Sequence, residues 1–334
     1  MRRALHGELL RAYHDLMKHF LRRTFGALVL SVAVSTCGRD VSAPAPVPTP
    51  AYAVGQTVTD PSGWLEYTPG NAPLVIVAPH GGMLTPDALP DRTCAACVTV
   101  NDANTQDLAR LVVAAFLART GARPHLVINR LDRRKFDANR DLSEATGGTT
   151  QLAASWLWLH SAIDSADGQI ARTTSRGLLI DLHGHAHDVA RLELGYLLTD
   201  AELRQSDAVL AGSDAMRRTS IARLATDSRR LSDRGVGLLR GDNSLGTLLS
   251  VSGYAAVPSA ADVAPLVGQG YFNGGYNTSR HGSVAGGALD AIQIECPFPG
   301  VRDTPAARAA FASTLAAAMA TYLERHYGWR SPSS

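Results

Sequence analysis

The chain has 334 residues, 45% of them hydrophobic and 19% charged, with a formal net charge of +2. This is ordinary globular composition, ample for one large core or two modest ones. No Lys/Arg-rich block stands out, which argues against a nucleic-acid partner. No apolar run reaches the roughly 18–20 residues of a bilayer-spanning helix.

In chain order, the first feature is a signal segment over residues 1–37. Lys18, Arg22 and Arg23 precede an apolar run at 26–34, and small residues follow up to Cys37. Basic, then apolar, then small is the layout of a secretory leader. Val34-Ser35-Thr36-Cys37 also resembles a bacterial lipobox, whose cysteine is lipidated after cleavage. The alternatives are a plain signal peptide cut nearby or an amphipathic first helix. The expectation is an exported protein, periplasmic or membrane-anchored, touching the membrane only through a lipid on Cys37. Residues 38–55 read as a Pro-rich linker. Within them 42–50 alternates proline with small residues, a semi-rigid polyproline II spacer.

Residues 56–330 form the expected catalytic body. The continuous apolar run 74–78 is the mark of a buried strand. Cys94-Ala95-Ala96-Cys97 lacks the second pair that a zinc site needs, so a local disulfide is expected, while Cys296 stands alone. Residues 104–118 read as an amphipathic helix capped by Asn104 or Thr105. Strands follow at 125–129 and 177–182, with a Trp-rich helix at 151–165 between them. Two or three helices are expected between 200 and 251, then a strand at 288–294 and a long closing helix at 305–326. This alternation predicts a single α/β domain: a mixed, mainly parallel sheet with helices on both faces. In such sheets ligands gather beyond the carboxyl ends of the strands.

Polar clusters stand at those strand ends. Pro79-His80-Gly81-Gly82 follows the first apolar run, and Asn101-Asp102 precedes the first helix. Arg133-Arg134-Lys135 and Asp137-Ala138-Asn139-Arg140 follow the 125–129 strand and form a cationic cluster suited to carboxylates. Asp181-Leu182-His183-Gly184-His185-Ala186-His187 ends the 177–182 strand, where Asp181 shares a face with His183 and is placed to orient it. A segment from Asn273 to Gly282 includes Arg280 and His281. Glu295 ends a very apolar strand, where a carboxylate is costly unless it is paired or functional. Each cluster alone also has a bland reading as a helix cap or a solvated charged loop.

The order of these clusters resembles the zinc carboxypeptidase superfamily, and within it the N-formylglutamate amidohydrolase family. Pro79-His80-Gly81-Gly82 is similar to that family's Pro-His-Ser-Gly, Asp137-Ala138-Asn139-Arg140 to its Asp-Leu-Asn-Arg, and Asp181-Leu182-His183-Gly184 to its Asp-x-His-Ser. The stretch Phe272 to Gly282 resembles its Gly-Gly-x-x-Thr-Arg-His-x-Gly signature, and Ile292-Gln293-Ile294-Glu295 its Val-Gln-Leu-Glu. The resemblance implies a Zn²⁺ held by His80, His183 and a third ligand, with Asp102 first and Asp107 second in preference. The carboxypeptidase pattern wants a Glu where this chain has Met83, and a related pattern wants one at Thr85. The resemblance further implies Glu295 as general base, with Asn139, Arg140, Arg133 and His281 binding substrate. Arg134 or Arg280 would stabilise the oxyanion. The implied reaction is zinc-dependent hydrolysis of the amide bond of an N-acyl amino acid, or of a short peptide near a carboxylate. The alternative is a non-catalytic exported binding lipoprotein for acidic ligands on the same fold. A serine esterase ranks low, because no Gly-x-Ser-x-Gly follows a strand.

Overall fold

The computed structural model describes residues 52–94, 97–228 and 235–332. The signal segment and the linker as far as residue 51 lie outside the described residues. Eight strands are formed: β1 (Val58–Thr59), β2 (Leu65–Thr68), β3 (Leu74–Ala78), β4 (His125–Asn129), β5 (Gly177–His185), β6 (Leu192–Gly195), β7 (Ala256–Val257) and β8 (Leu289–Pro297). They make one mixed sheet in the order β1-β2-β4-β3-β5-β8-β6-β7. The central β4-β3-β5-β8 block is parallel, and β2 and β6 flank it antiparallel.

The strand sequences alternate between two cores. Leu74, Ile76 and Ala78 of β3 face one side, with Leu178, Ile180 and Leu182 of β5 and Ile292, Ile294 and Cys296 of β8. Helix α1 (Thr105–Thr120) and the closing helix, Pro305–Tyr327, cover that side. Val75, Val77, Leu179, Leu289 and Ala291 face the other side. Helix α2 (Gln151–Thr173) covers it with Leu152, Trp156, Leu159, Ile163, Ala166 and Ile170, spaced to make one apolar stripe. A short α3 (Tyr276–His281) follows β7, and the closing helix is α4. Thr304 caps α4 by accepting from the Ala307 amide, and Pro305 occupies its first turn.

The expected α/β architecture is therefore present, with differences of detail. Helix α2 runs on to Thr173 because Ala166 and Ile170 extend its stripe. Strands β5 and β8 continue through polar residues because they pair in register over nine residues. Among the described residues between 200 and 250 there are six short helices, where two or three were expected. Asn104 does not cap α1 with its side chain. It lies in the left-handed region at φ 68°, and its Nδ2 donates to the Arg302 carbonyl at 2.8 Å. Cys94 and Cys97 are disulfide-bonded.

Candidate metal centre

Strand parity places the polar residues. Asp181 and His183 share parity with Leu179, and Gln293 and Glu295 with Leu289 and Ala291, so all four lie on the α2 side at the carboxyl ends of β5 and β8. The β5–β8 register sets Asp181 beside Gln293 and His183 beside Glu295. His80 leaves β3 two residues past its end, and its carbonyl accepts from the Asp102 amide at 3.0 Å, which draws the loop before α1 into the site. The glycines after His80 are a packing necessity: a Cβ on Gly82 would lie 2.2 Å from the Leu131 carbonyl oxygen.

His80, Asp102 and His183 converge. Their ligand atoms lie within 4.8 Å of one another, and all three residues are buried. His80 Nδ1 is 3.3 Å and His183 Nδ1 3.1 Å from the same oxygen, Asp102 Oδ2. The far nitrogens meet carboxylates: His80 Nε2 is 2.7 Å from Asp137 Oδ1, and His183 Nε2 is 3.0 Å from Asp181 Oδ2. The second contact has the distance of an ion pair but not the angles of a hydrogen bond, and Asn139 Nδ2 lies 3.2 Å from the same nitrogen. A buried carboxylate behind each ring is the outer-shell arrangement of metal-ligating histidines. His80 shows why a cation fits. Its Nε2 donates to Asp137, so the neutral ring aims an Nδ1 lone pair at an anionic oxygen, and only a proton or a metal ion between them relieves that. Three donors of the imidazole and carboxylate type suit a divalent ion with a position left open.

The electrostatics agree. Burial alone would raise the Asp102 pKa, but the neighbouring His80 and His183 rings outweigh it and hold the carboxyl well below its usual range. Asp137 behaves likewise, with burial overcome by His80 and then Arg133 and Arg140. For His183 burial opposes the charge, and Asp181 and Asp102 prevail, raising its pKa. Glu295 differs: burial pushes it up to about 8 against the pull of His183, and Asp102, Glu193 and Asp181 add to the rise. Its Oε1 accepts from Gln293 Nε2 at 2.9 Å, while Oε2 is buried without a partner.

His80, Asp102, His183, Gln293 and Glu295 line a cavity of about 130 Å³ together with Arg133, Asn139 and Arg140. Arg133 Nε donates to Asp137 Oδ2 at 3.0 Å, and its Nη1 lies 3.5 Å from Asp102 Oδ1. Arg140 is held at two points, Nε on Glu144 Oε1 and Nη1 on the Asn139 carbonyl, both at 2.8 Å. Asn139 Oδ1 accepts from the Asn277 amide at 2.7 Å, which fixes the amide orientation. His80, Asp102, His183, Arg133, Asn139, Arg140 and Glu295 are thus brought together in one place.

Three others do not. Arg134 is about half exposed and paired with Asp132. Arg280 is exposed, with its guanidinium 5.1 Å from the Trp156 ring centroid. His281 is buried behind the site, its Nε2 2.8 Å from His160 Nδ1 and its Nδ1 3.3 Å from Asp164. The oxyanion role given to Arg134 or Arg280 and the substrate role given to His281 therefore have no support in this arrangement. Asp107 is also outside: it is exposed and 3.8 Å from Arg308.

Several contributors carried no role in the sequence reading. Asp137 backs His80, yet it was only part of a motif 57 residues away. Arg302 is buried and donates to the carbonyls of Ala103, Cys296 and His185, tying the Asp102 loop to β5 and β8. Its guanidinium passes over Gly184, where a Cβ would come within 2.2 Å of it. A second close group, His185, His187 and Glu193, adjoins the site. Its donors are already engaged: His185 Nε2 donates to the Arg191 carbonyl, His185 Nδ1 accepts from the His187 amide, and His187 Nδ1 meets Glu193 at 2.7 Å.

No family model matches this sequence, and no curated protein matches it. Solved structures similar in fold include two. One is an N-formylglutamate amidohydrolase from Ralstonia eutropha, 13% identical, with a TM-score of 0.46 over 76% of this chain and 93% of that one. The other is a gene product from Agrobacterium tumefaciens, also 13% identical, with a TM-score of 0.43 over 77% of this chain and 92% of that one.

Proposed function

We propose that this chain is an exported zinc-dependent hydrolase that cleaves the amide bond of an N-acyl amino acid resembling N-formylglutamate, or of a short peptide near a carboxylate. One observation carries the reading: two imidazole Nδ1 atoms and a buried carboxylate oxygen face one another, while further carboxylates occupy the far side of both rings. His80, Asp102 and His183 would hold the metal. When bound, Zn²⁺ lowers the pKa of water to about 7 and polarises an amide carbonyl.

The remaining chemistry belongs to the chain. Glu295 offers a buried, unpartnered Oε2, with Oε1 steadied by Gln293. It takes a proton from the attacking water and returns it to the leaving nitrogen as the carbon–nitrogen bond breaks. A raised pKa suits that exchange, and a cation held by His80, Asp102 and His183 would lower it from about 8 and favour the ionised form. Arg140, braced by Glu144 and the Asn139 carbonyl, receives the substrate carboxylate. Arg133 is the other cation lining the cavity, and it takes the oxyanion role. The cavity is small, which favours an amino-acid-sized substrate.

Export, with membrane attachment through a lipid on Cys37, belongs to the same proposal. The Cys94–Cys97 disulfide supports an oxidising compartment. Purified protein should bind about one zinc per chain and hydrolyse N-formyl-L-glutamate or a close N-acyl analogue in a chelator-reversible way. A folded protein that binds no divalent metal at micromolar zinc would sink the reading.

A further inference from the structure

We infer that the acyl side of the substrate is apolar and larger than formyl, seated against Val98 and Phe272 at the mouth of the cavity. The inference rests on the hydrolase reading above and narrows it to a substrate class. Both residues line the cavity that holds the His80, Asp102 and His183 ligand atoms, and both remain substantially exposed, Val98 at 44% and Phe272 at 45%. Single exposed apolar residues are ordinary and require no explanation. These two differ because each is clamped from below by buried charge.

The Phe272 amide donates to Glu193 Oε2 at 2.8 Å, and Glu193 is fully buried. The other oxygen, Oε1, meets His187 Nδ1 at 2.7 Å, and the His187 ring stacks on Phe272 with centroids 4.6 Å apart and planes 26° from parallel. A buried carboxylate needs such partners, so the pairing ties the Phe272 loop and the stacked His187 ring to the interior. Val98 is fixed in the same manner. Its carbonyl accepts from Arg92 Nη2 at 2.6 Å, and the buried Arg92 also donates to the carbonyls of Arg133 and Glu144. An exposed valine and an exposed phenylalanine thus have their backbones anchored to buried charge beside a site whose other lining side chains are polar. A carboxylate on Arg140 satisfies the amino-acid half of the substrate. Apolar walls match a chain of methylenes, and a formyl group is too short to use them.

The test holds the leaving amino acid constant as glutamate and lengthens the acyl group through formyl, butyryl and hexanoyl. Binding is read by calorimetry on zinc-loaded Glu295→Gln protein, and turnover is read separately on wild type. Affinity should rise by about tenfold or more from formyl to hexanoyl, and wild-type kcat/KM should follow the same order. Phe272→Ala and Val98→Ser should each shrink the hexanoyl-to-formyl affinity ratio. Affinity that is flat or falls with acyl length overturns the inference, and so does a ratio that both variants leave intact. Rising affinity with no turnover of any member supports the apolar subsite and removes the hydrolase reading instead. Turnover that is fastest for formyl keeps the hydrolase and removes the subsite. Absence of binding by every member overturns both.

Discussion

Replacing Glu295 with glutamine separates catalysis from structure. The amide keeps the shape, so its oxygen can still accept from Gln293 Nε2, while its nitrogen takes the position of Oε2, which has no partner. The carboxyl is raised from 4.5 to about 8, chiefly by burial. In metal-free protein the unfolded chain releases this proton above about pH 4.5 and the folded chain retains it until about pH 8. Fewer protons are then bound in the unfolded state, so stability falls as pH rises through that window and is flat beyond it. The full shift corresponds to at most about 5 kcal/mol. Glu295→Gln abolishes this slope, so the chelated variant should match or exceed wild type in urea melts at pH 8.5 and lose its advantage near pH 5. With zinc restored, the same variant should lose at least about 10²-fold in kcat, the lower range for general-base catalysis. A variant less stable than wild type at both pH values, with a folded fraction of normal activity, would show that Glu295 is a structural residue and refute the reasoning.

Asp102→Asn should lower zinc affinity by well over tenfold, and Asp107→Asn should leave it near wild type; equilibrium dialysis that returned the reverse order would move the third ligand. Arg140→Lys retains the charge but loses the planar fork, so KM for N-acyl glutamate should rise about tenfold or more. Turnover of the α-amide as fast as the free acid would count against that role. Gly184→Ala places a methyl group 2.2 Å from the Arg302 guanidinium carbon, so Arg302 must release its three carbonyls. The expected cost is on the order of 1–3 kcal/mol, with weakened zinc binding; a melt within error of wild type would mean that Arg302 has another home.

Legibility in the sequence followed the physics of each element. Strands β3 and β4 coincide with their apolar runs because parallel strands covered on both faces are apolar at nearly every position. Strands β2 and β6 carry little signal because Glu66 and Glu193 interrupt runs of only four residues, and β4 and β8, which join them to the central sheet, lie far along the chain. His80, His183 and Glu295 were readable because each stands at or just past a strand's carboxyl end. The arginines were not separable in this way. Arg133, Arg134 and Arg140 share one turn-rich segment, and only the folded turn sends Arg133 and Arg140 to the cavity and Arg134 to solvent. His281 looked functional beside Arg280, but its partner His160 sits on α2, 121 residues away in sequence, which no local pattern reveals.

The arrangement of charge explains why so much of the site is buried. Asp137 has Arg133 and Arg92 against its Oδ2, so a cation from the chain faces it on the side away from His80. Asp181 takes an amide proton from Asn277 at 3.2 Å. Asp102 Oδ2 faces both His80 and His183 and accepts from the Gly184 amide at 3.2 Å, whereas Glu295 accepts only from Gln293. An ionised carboxylate buried with so little compensation is unfavourable, and burial raises the Glu295 pKa to about 8. A divalent ion held by His80, Asp102 and His183 would supply positive charge beside Glu295. The carboxylates behind the rings would then strengthen the histidines as ligands, and Glu295, lowered towards its ionised form, would keep Oε2 free to move a proton. Glu295's shortage of partners thus raises its pKa, and the sheet sets it beside His183 by bringing β5 and β8 side by side in register.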